Sequence, residues 1–483
     1  MGETDWLIPN GVDGSTGNYL FPEINLEQAK QYIPQEETTE DILLKWMKQQ
    51  DRTATTLTRE FPADLNPADV SQAGWGILYA PDLDLQTKEA LQRLVKYRRE
   101  QSDDPRKVKE FTYNGETWAY KWLNLHGVAS GVYDPYQVPY YLLIAGSPKS
   151  IPFSFEFQLN VGYAIGRLHF ETAEEYARYI DSLIAYEKAT EISNSREIIY
   201  FAPNHDPATN LSTSQLITPL VSGVPETSLK PAVKPVAEAG RFTTRTFLGG
   251  NASKDHLRAV FATPPAERVP ALLFTASHGL GLSQSNSDQT MLNGALVCQN
   301  WSGPGSITPE HYFSASDLPA EARLQGMITI HFACFGGGTP DHDRYAKMVK
   351  NQPDYSSKNP FIAALPRHLM AHPNGGTLAC LSHIDRLFTT SIDSQRSGPR
   401  YQPYRNILYL LMQGQPVGHL SREFSRLSAH LASDLNELVE DLEIGMQVPG
   451  EDLVPMWIER NDASSFLVLG DPAARLRVAD LPQ

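Results

Sequence analysis

Two apolar runs constrain this chain more than anything else in it. VPALLFTASHG (269–279) and GMITIHFACFGG (326–337) lack the polar alternation of a strand that is wet on one face. That pattern marks strands buried on both faces, as in the parallel sheet of an α/β fold. Such sheets place their active residues just past the carboxyl ends of strands. The runs therefore predict strands over 270–275 and 327–332, with Ser277, His278 and Gly279 at one exit and the segment from Cys334 to Gly338 at the other.

A base and a nucleophile, each at a strand exit, point to acyl transfer. A thiol with an ordinary pKa of about 8.5 is mostly protonated at neutral pH, so an attacking cysteine needs a histidine to take its proton. His278 and Cys334 fill these two roles, and the backbone N–H groups of Gly279 and Cys334 are candidates to face a tetrahedral oxyanion. The glycines on both segments leave room for a substrate backbone.

The remaining pattern alternates strands and helices, which predicts a mostly parallel sheet. Strands are expected at 198–202, 243–248 and 377–381, and another early in GWGILYAPDLD (74–84), followed by a helix over 86–101. The charged stretch 103–111 is read as a connector, and Thr172 with Glu175 forms a capping box that starts a helix. Residues 1–64, with a helix near 39–50, form an N-terminal arm; 65–193 and 194–483 are two further units. The segment 280–326 has no evident regularity and leaves directly from His278 and Gly279, so it is expected to be a mobile or autoinhibitory loop. A long amphipathic helix is predicted over 416–445.

TASHG and HFACFGG resemble the two signature blocks of clan CD cysteine peptidases, which include caspases, gingipains and CHAT-domain proteases. Cys334 follows His278 by 56 positions, near the roughly 50 of caspases. FLGGNASKDHLRAVF (247–261), GGTLACLSHIDRLF (375–388) and SFLVLGDPAARLR (465–477) resemble further CHAT segments, and 138–187 resembles the first gingipain subdomain. The resemblance implies a caspase-hemoglobinase-like three-layer αβα sandwich in 194–483, preceded by a smaller gingipain-like α/β subdomain in 65–193. It implies a His278–Cys334 dyad acting on protein or peptide substrates, with no cofactor and no metal, and an activating or regulatory protein as partner. It also places Asp385 and Arg386 in the wall of the substrate pocket, where a carboxylate would favour a basic residue. Phe332 stands where caspases carry the glutamine of their Cys block, and Gln158 and Asn160 stand where arginine-specific gingipains carry an acid, with Glu156 nearby. No residue orienting His278 is identified. A pseudoprotease acting as an interaction module and a thiol acyltransferase on small substrates stay open as alternatives.

The net charge of −15 argues against a nucleic-acid partner. No run reaches the ~20 apolar residues of a membrane span. The amino terminus lacks the basic and apolar regions of a signal peptide, and Cys298, Cys334 and Cys380 are too few and scattered for a disulfide framework. A cytoplasmic setting is the expectation. Cys380 with His383 is not a convincing second dyad, because Cys380 falls within an apolar run. His331, Cys334, His342 and Asp343 lack the spacing of a structural zinc site, and Gly336, Gly337 and Gly338 lack the Lys-Ser/Thr of a phosphate loop.

Overall fold

The computed structural model describes residues 6–7, 9–22, 24–30, 33 and 65–482, apart from 130–131, 229, 349–352 and 395–397. The helix expected near 39–50 lies outside them. Among the described residues the centre is one ten-stranded sheet. In chain order its strands are β1 (Trp75–Tyr79), β2 (Val108–Thr112), β3 (Tyr141–Ala145), β4 (Ala164–Leu168), β5 (Asn194–Ala202), β6 (Thr243–Leu248), β7 (Val269–Ala276), β8 (Ile328–Phe332), β9 (Ala379–His383) and β10 (Phe466–Gly470). Across the sheet they run β6, β5, β7, β8, β9, β10, β4, β3, β1, β2. Every pairing is parallel except β9 with β10. The chain's last strand thus joins two parallel halves of opposite direction into one mixed α/β sheet.

The unalternated runs behave as their composition requires: every residue of β7 and β8 is buried. The helix after β1 spans Leu85–Gln101, and Thr172 caps Ala173–Lys188 with the reciprocal bonds of a capping box. The Gly166-Arg167 pair is internal. Arg167 is fully buried, pairs with Glu156 at 2.6 Å and donates to the carbonyls of Gly146 and Ile151.

Several expectations need correction. The charged stretch read as a connector contains the edge strand β2, whose Val108 and Phe111 are buried while Lys109, Glu110 and Thr112 are not. An edge strand carries charge without penalty, which disguised it. The strand expected at 377–381 lies two residues later, because the Thr377 N–H is still bonded to the Leu369 carbonyl of the preceding helix, Ala364–Met370. The long C-terminal helix is divided into Val417–Leu420 and Arg422–Glu443. The segment 280–326 is threaded with short elements: Leu296–Val297 pairs with Tyr312–Phe313, and Leu280, Ala295, Val297 and Trp301 build a small core with Val12.

Candidate active site

Register brings together the two strand exits that carry the predicted side chains. Ala276 of β7 pairs directly with Phe332 of β8, so His278 and Cys334 each leave the sheet two residues past a matched pair. The Ser277 N–H bonds the Phe332 carbonyl at 3.1 Å and ties the exits to each other. Gly279 is pressed against the other exit: a Cβ there would fall 1.9 Å from the Cys334 carbonyl oxygen. Immediately after the cysteine, Phe335 adopts φ 57°, a left-handed conformation that aromatic side chains rarely take. The Phe335 N–H bonds the Asp385 carbonyl at 3.0 Å, and Gly337 N–H bonds that of His383 at 2.8 Å, so β9 anchors the strained turn.

Both ring nitrogens of His278 are engaged. Nε2 donates to Asp206 Oδ2 at 2.5 Å, and Nδ1 accepts the Gly11 N–H at 2.7 Å. Burial alone would raise the Asp206 carboxyl. The His278 charge and hydrogen bond, with donors from Thr209, override burial and hold it well below the usual carboxylate range. The Tyr19 hydroxyl donates to the same oxygen at 3.0 Å. Tyr19, His205 and Trp301 pack around the imidazole with ring centroids 5.6–5.9 Å away, which leaves it fully buried. Burial also pushes the His205 imidazole down to about 4, with the charge of His278 adding to the effect.

Asp206 is the residue that sequence reading missed. It lies past the end of β5 in NHDPAT (204–209), where aspartate followed by proline signals a helix start. It does cap Pro207–Leu211 through a reciprocal box with Thr209. Its other carboxylate oxygen reaches His278, 72 positions away, and nothing local announces that. His205, Asp206 and His278 also present ligating atoms within 4.8 Å of one another. The close pairing of Asp206 with His278 already gives this carboxylate an orienting task.

Cys334 is fully buried, and burial pushes its thiol up to about 12, against a smaller opposite effect of the Leu387 N–H. That N–H reaches Sγ at 3.1 Å, and the thiol donates to the Asn10 carbonyl at 2.6 Å. Asp385 and Arg386 are 4% and 1% exposed. Burial raises the Asp385 carboxyl to about 7, and Asp385 Oδ1 accepts the Arg386 N–H at 2.7 Å. The Arg386 guanidinium pairs with Asp343 and lies over the rings of Phe21, Tyr345 and Tyr355.

The other constellations separate. Cys380 and His383 are three apart on β9 and point to opposite faces. His331 bonds Thr275 Oγ1 at 2.8 Å, while Asp343 serves Arg386.

No family model matches this chain, and no curated protein matches it. Two solved structures are similar at low identity. One, described as "Structure of Protease", has TM-score 0.42 and 12% identity, covering 83% of this chain and 78% of that chain. The other, the complex of Porphyromonas gingivalis RgpB pro- and mature domains, has TM-score 0.43 and 13% identity, covering 84% and 80%. At TM-scores below 0.5 neither likeness bears on the chemistry, which rests on the side chains themselves. No helix among the described residues is long and apolar enough to cross a membrane.

Proposed function

We propose that the chain is a cysteine peptidase in which Cys334 is the nucleophile, His278 the general base and acid, and Asp206 the residue that positions His278. The observation that carries this reading is the His278 ring: one nitrogen is fixed by a buried carboxylate and the other faces a peptide N–H beside the thiol. With Nε2–H committed to Asp206, Nδ1 is left as the proton-accepting atom. It takes the thiol proton as sulfur attacks a carbonyl and returns it to the leaving amine. The imidazolium formed in between is stabilised by Asp206 without proton transfer to it, because a carboxyl held that low stays ionised.

The backbone N–H groups of Gly279 and Cys334 are proposed to hold the developing oxyanion, which the contact of these two residues supports. The substrates are proteins or peptides bound as an added strand along Leu387–Phe388, which in this structure pairs with the short strand at Pro9–Asn10. A peptidyl acyloxymethyl ketone tests the reading. It should alkylate Cys334, identified by peptide mapping, and fail on the His278→Ala protein. Labelling at Cys298 or Cys380 with Cys334 untouched would overturn it.

A further inference from the structure

The chain's own amino-terminal arm lies across this site, and its position on the two reacting groups is that of a substrate. We propose that the protein cleaves itself between Asn10 and Gly11, the arm being its built-in first substrate; this inference rests on the peptidase reading above.

The carbonyl oxygen and the nitrogen of one peptide group are both addressed. The Asn10 carbonyl oxygen is 2.6 Å from Cys334 Sγ, so with a C=O length of about 1.2 Å its carbon lies within roughly 3.8 Å of the sulfur. The nitrogen of the same bond, Gly11 N, is 2.7 Å from His278 Nδ1. The nucleophilic sulfur therefore lies against the carbonyl, and the imidazole against the leaving nitrogen, of the same peptide group, Asn10–Gly11.

The flanking backbone is held as a strand on both sides. Pro9–Asn10 pairs antiparallel with Leu387–Phe388, next to the N–H that contacts the thiol. Beyond the bond, Val12–Asp13 pairs in parallel with Leu280–Gly281, directly after the His278 exit, and the Val12 N–H bonds the Gly279 carbonyl at 3.1 Å. Glycine is required after the bond: Gly11 has φ 112°, and a Cβ would fall 2.6 Å from Leu20 Cδ1 and 2.8 Å from Cys334 Sγ. Asn10 is buried before the bond, its side-chain amide without a hydrogen-bond partner among the described residues. A small uncharged polar residue thus occupies the position that the sequence assigned to a basic one.

The step balances with water as the only co-reactant. Sulfur bonds the Asn10 carbonyl carbon as the thiol proton passes to His278. The carbon–nitrogen bond then breaks, and that proton moves to Gly11, which becomes a free amine. Water next attacks the thioester, giving an Asn10 carboxyl and restoring the thiol. The segment after the cut stays built into the fold through Val12, Asp13 and Leu20, whereas the piece before it loses its covalent tether and is held by the pairing of Trp6–Leu7 with Ile24–Asn25, so that Pro9–Asn10 can leave the groove along Leu387–Phe388 to other chains.

Intact-mass and amino-terminal analysis of the full chain over time tests this. Wild type should convert to a species beginning at Gly11, at a rate independent of protein concentration. Cys334→Ala, Cys334→Ser and His278→Ala should convert at least 100-fold more slowly while keeping wild-type circular dichroism. The same wild-type sample is treated with a peptidyl acyloxymethyl ketone. An intact chain whose Cys334 is labelled would overturn self-cleavage and leave the peptidase reading standing. Cleavage at another bond alone, or a rate rising with concentration, would also overturn it. An intact chain that is not labelled would remove both.

Discussion

Asp206 accepts the Nε2–H of His278 at 2.5 Å and caps the Pro207–Leu211 helix with the same carboxylate group. One side chain therefore fixes the tautomer of the His278 imidazole and the start of the Pro207–Leu211 helix.

The two tasks can be separated by mutation. Asn caps helices about as well as Asp, but it cannot stabilise an imidazolium. Asp206→Asn should melt near wild type and lose roughly 10²- to 10⁴-fold in kcat/KM. Asp206→Ala should lose stability as well, by about 1 kcal/mol for the missing cap. Full activity in Asp206→Asn would show that the contact is structural only.

In the proposed reaction Cys334 and His278 act as a unit, so their losses should not add. Cys334→Ala and His278→Ala should each abolish peptide cleavage, and the double variant should be no worse than either, measured on one fluorogenic substrate. Cys380→Ala provides the contrast. Cys380 is buried in β9, where burial pushes its thiol up to about 12, so its removal should lower the melting temperature and leave the rate per folded molecule unchanged.

Gly279 tests how closely the strand exits must approach. An alanine Cβ would meet the Cys334 carbonyl oxygen at 1.9 Å, and backbone on both sides can yield only by parting β7 from β8. Gly279→Ala should cost about 1–3 kcal/mol in urea unfolding and more than 100-fold in activity. A stable, active variant would show that the exits tolerate separation.

Asp385 should make stability fall as pH rises. Burial raises its carboxyl from 3.8 to about 7, so between those values the folded protein keeps a proton that the unfolded chain has released. The neutral form is the one the fold favours. This stability is present below the unfolded pKa and is lost progressively up to about pH 7, by at most about 4 kcal/mol. Asp385→Asn, which keeps the shape without the charge, should match wild type near pH 4 and exceed it increasingly toward pH 8. Urea midpoints at several pH values measure the difference. A constant difference would mean that Asp385 is ionised throughout, in which case a role in recognising basic residues would regain support.

What the sequence by itself determined was local chemistry. The unalternated runs at β7 and β8 read as strands buried on both faces, which they are, so the places where His278, Gly279 and Cys334 leave the sheet were legible from the local sequence. The Thr172 capping box and the Leu85–Gln101 helix were legible for the same reason, since each signal lies within a few residues of the element it sets. The tertiary structure alone decided which distant groups meet. Asp206 reads as an ordinary helix cap until β5 and β7 are paired and its second oxygen is set against His278. The strand β2 is disguised by charges that an edge position solvates. PNGVDG (9–14) reads as turn-rich arm, because two-residue strands carry no periodicity; only the walls at Leu387–Phe388 and Leu280–Gly281 make it extended and lay it between thiol and imidazole. Contacts across 267 and 324 positions are fixed by sheet order and register, which no window of sequence contains.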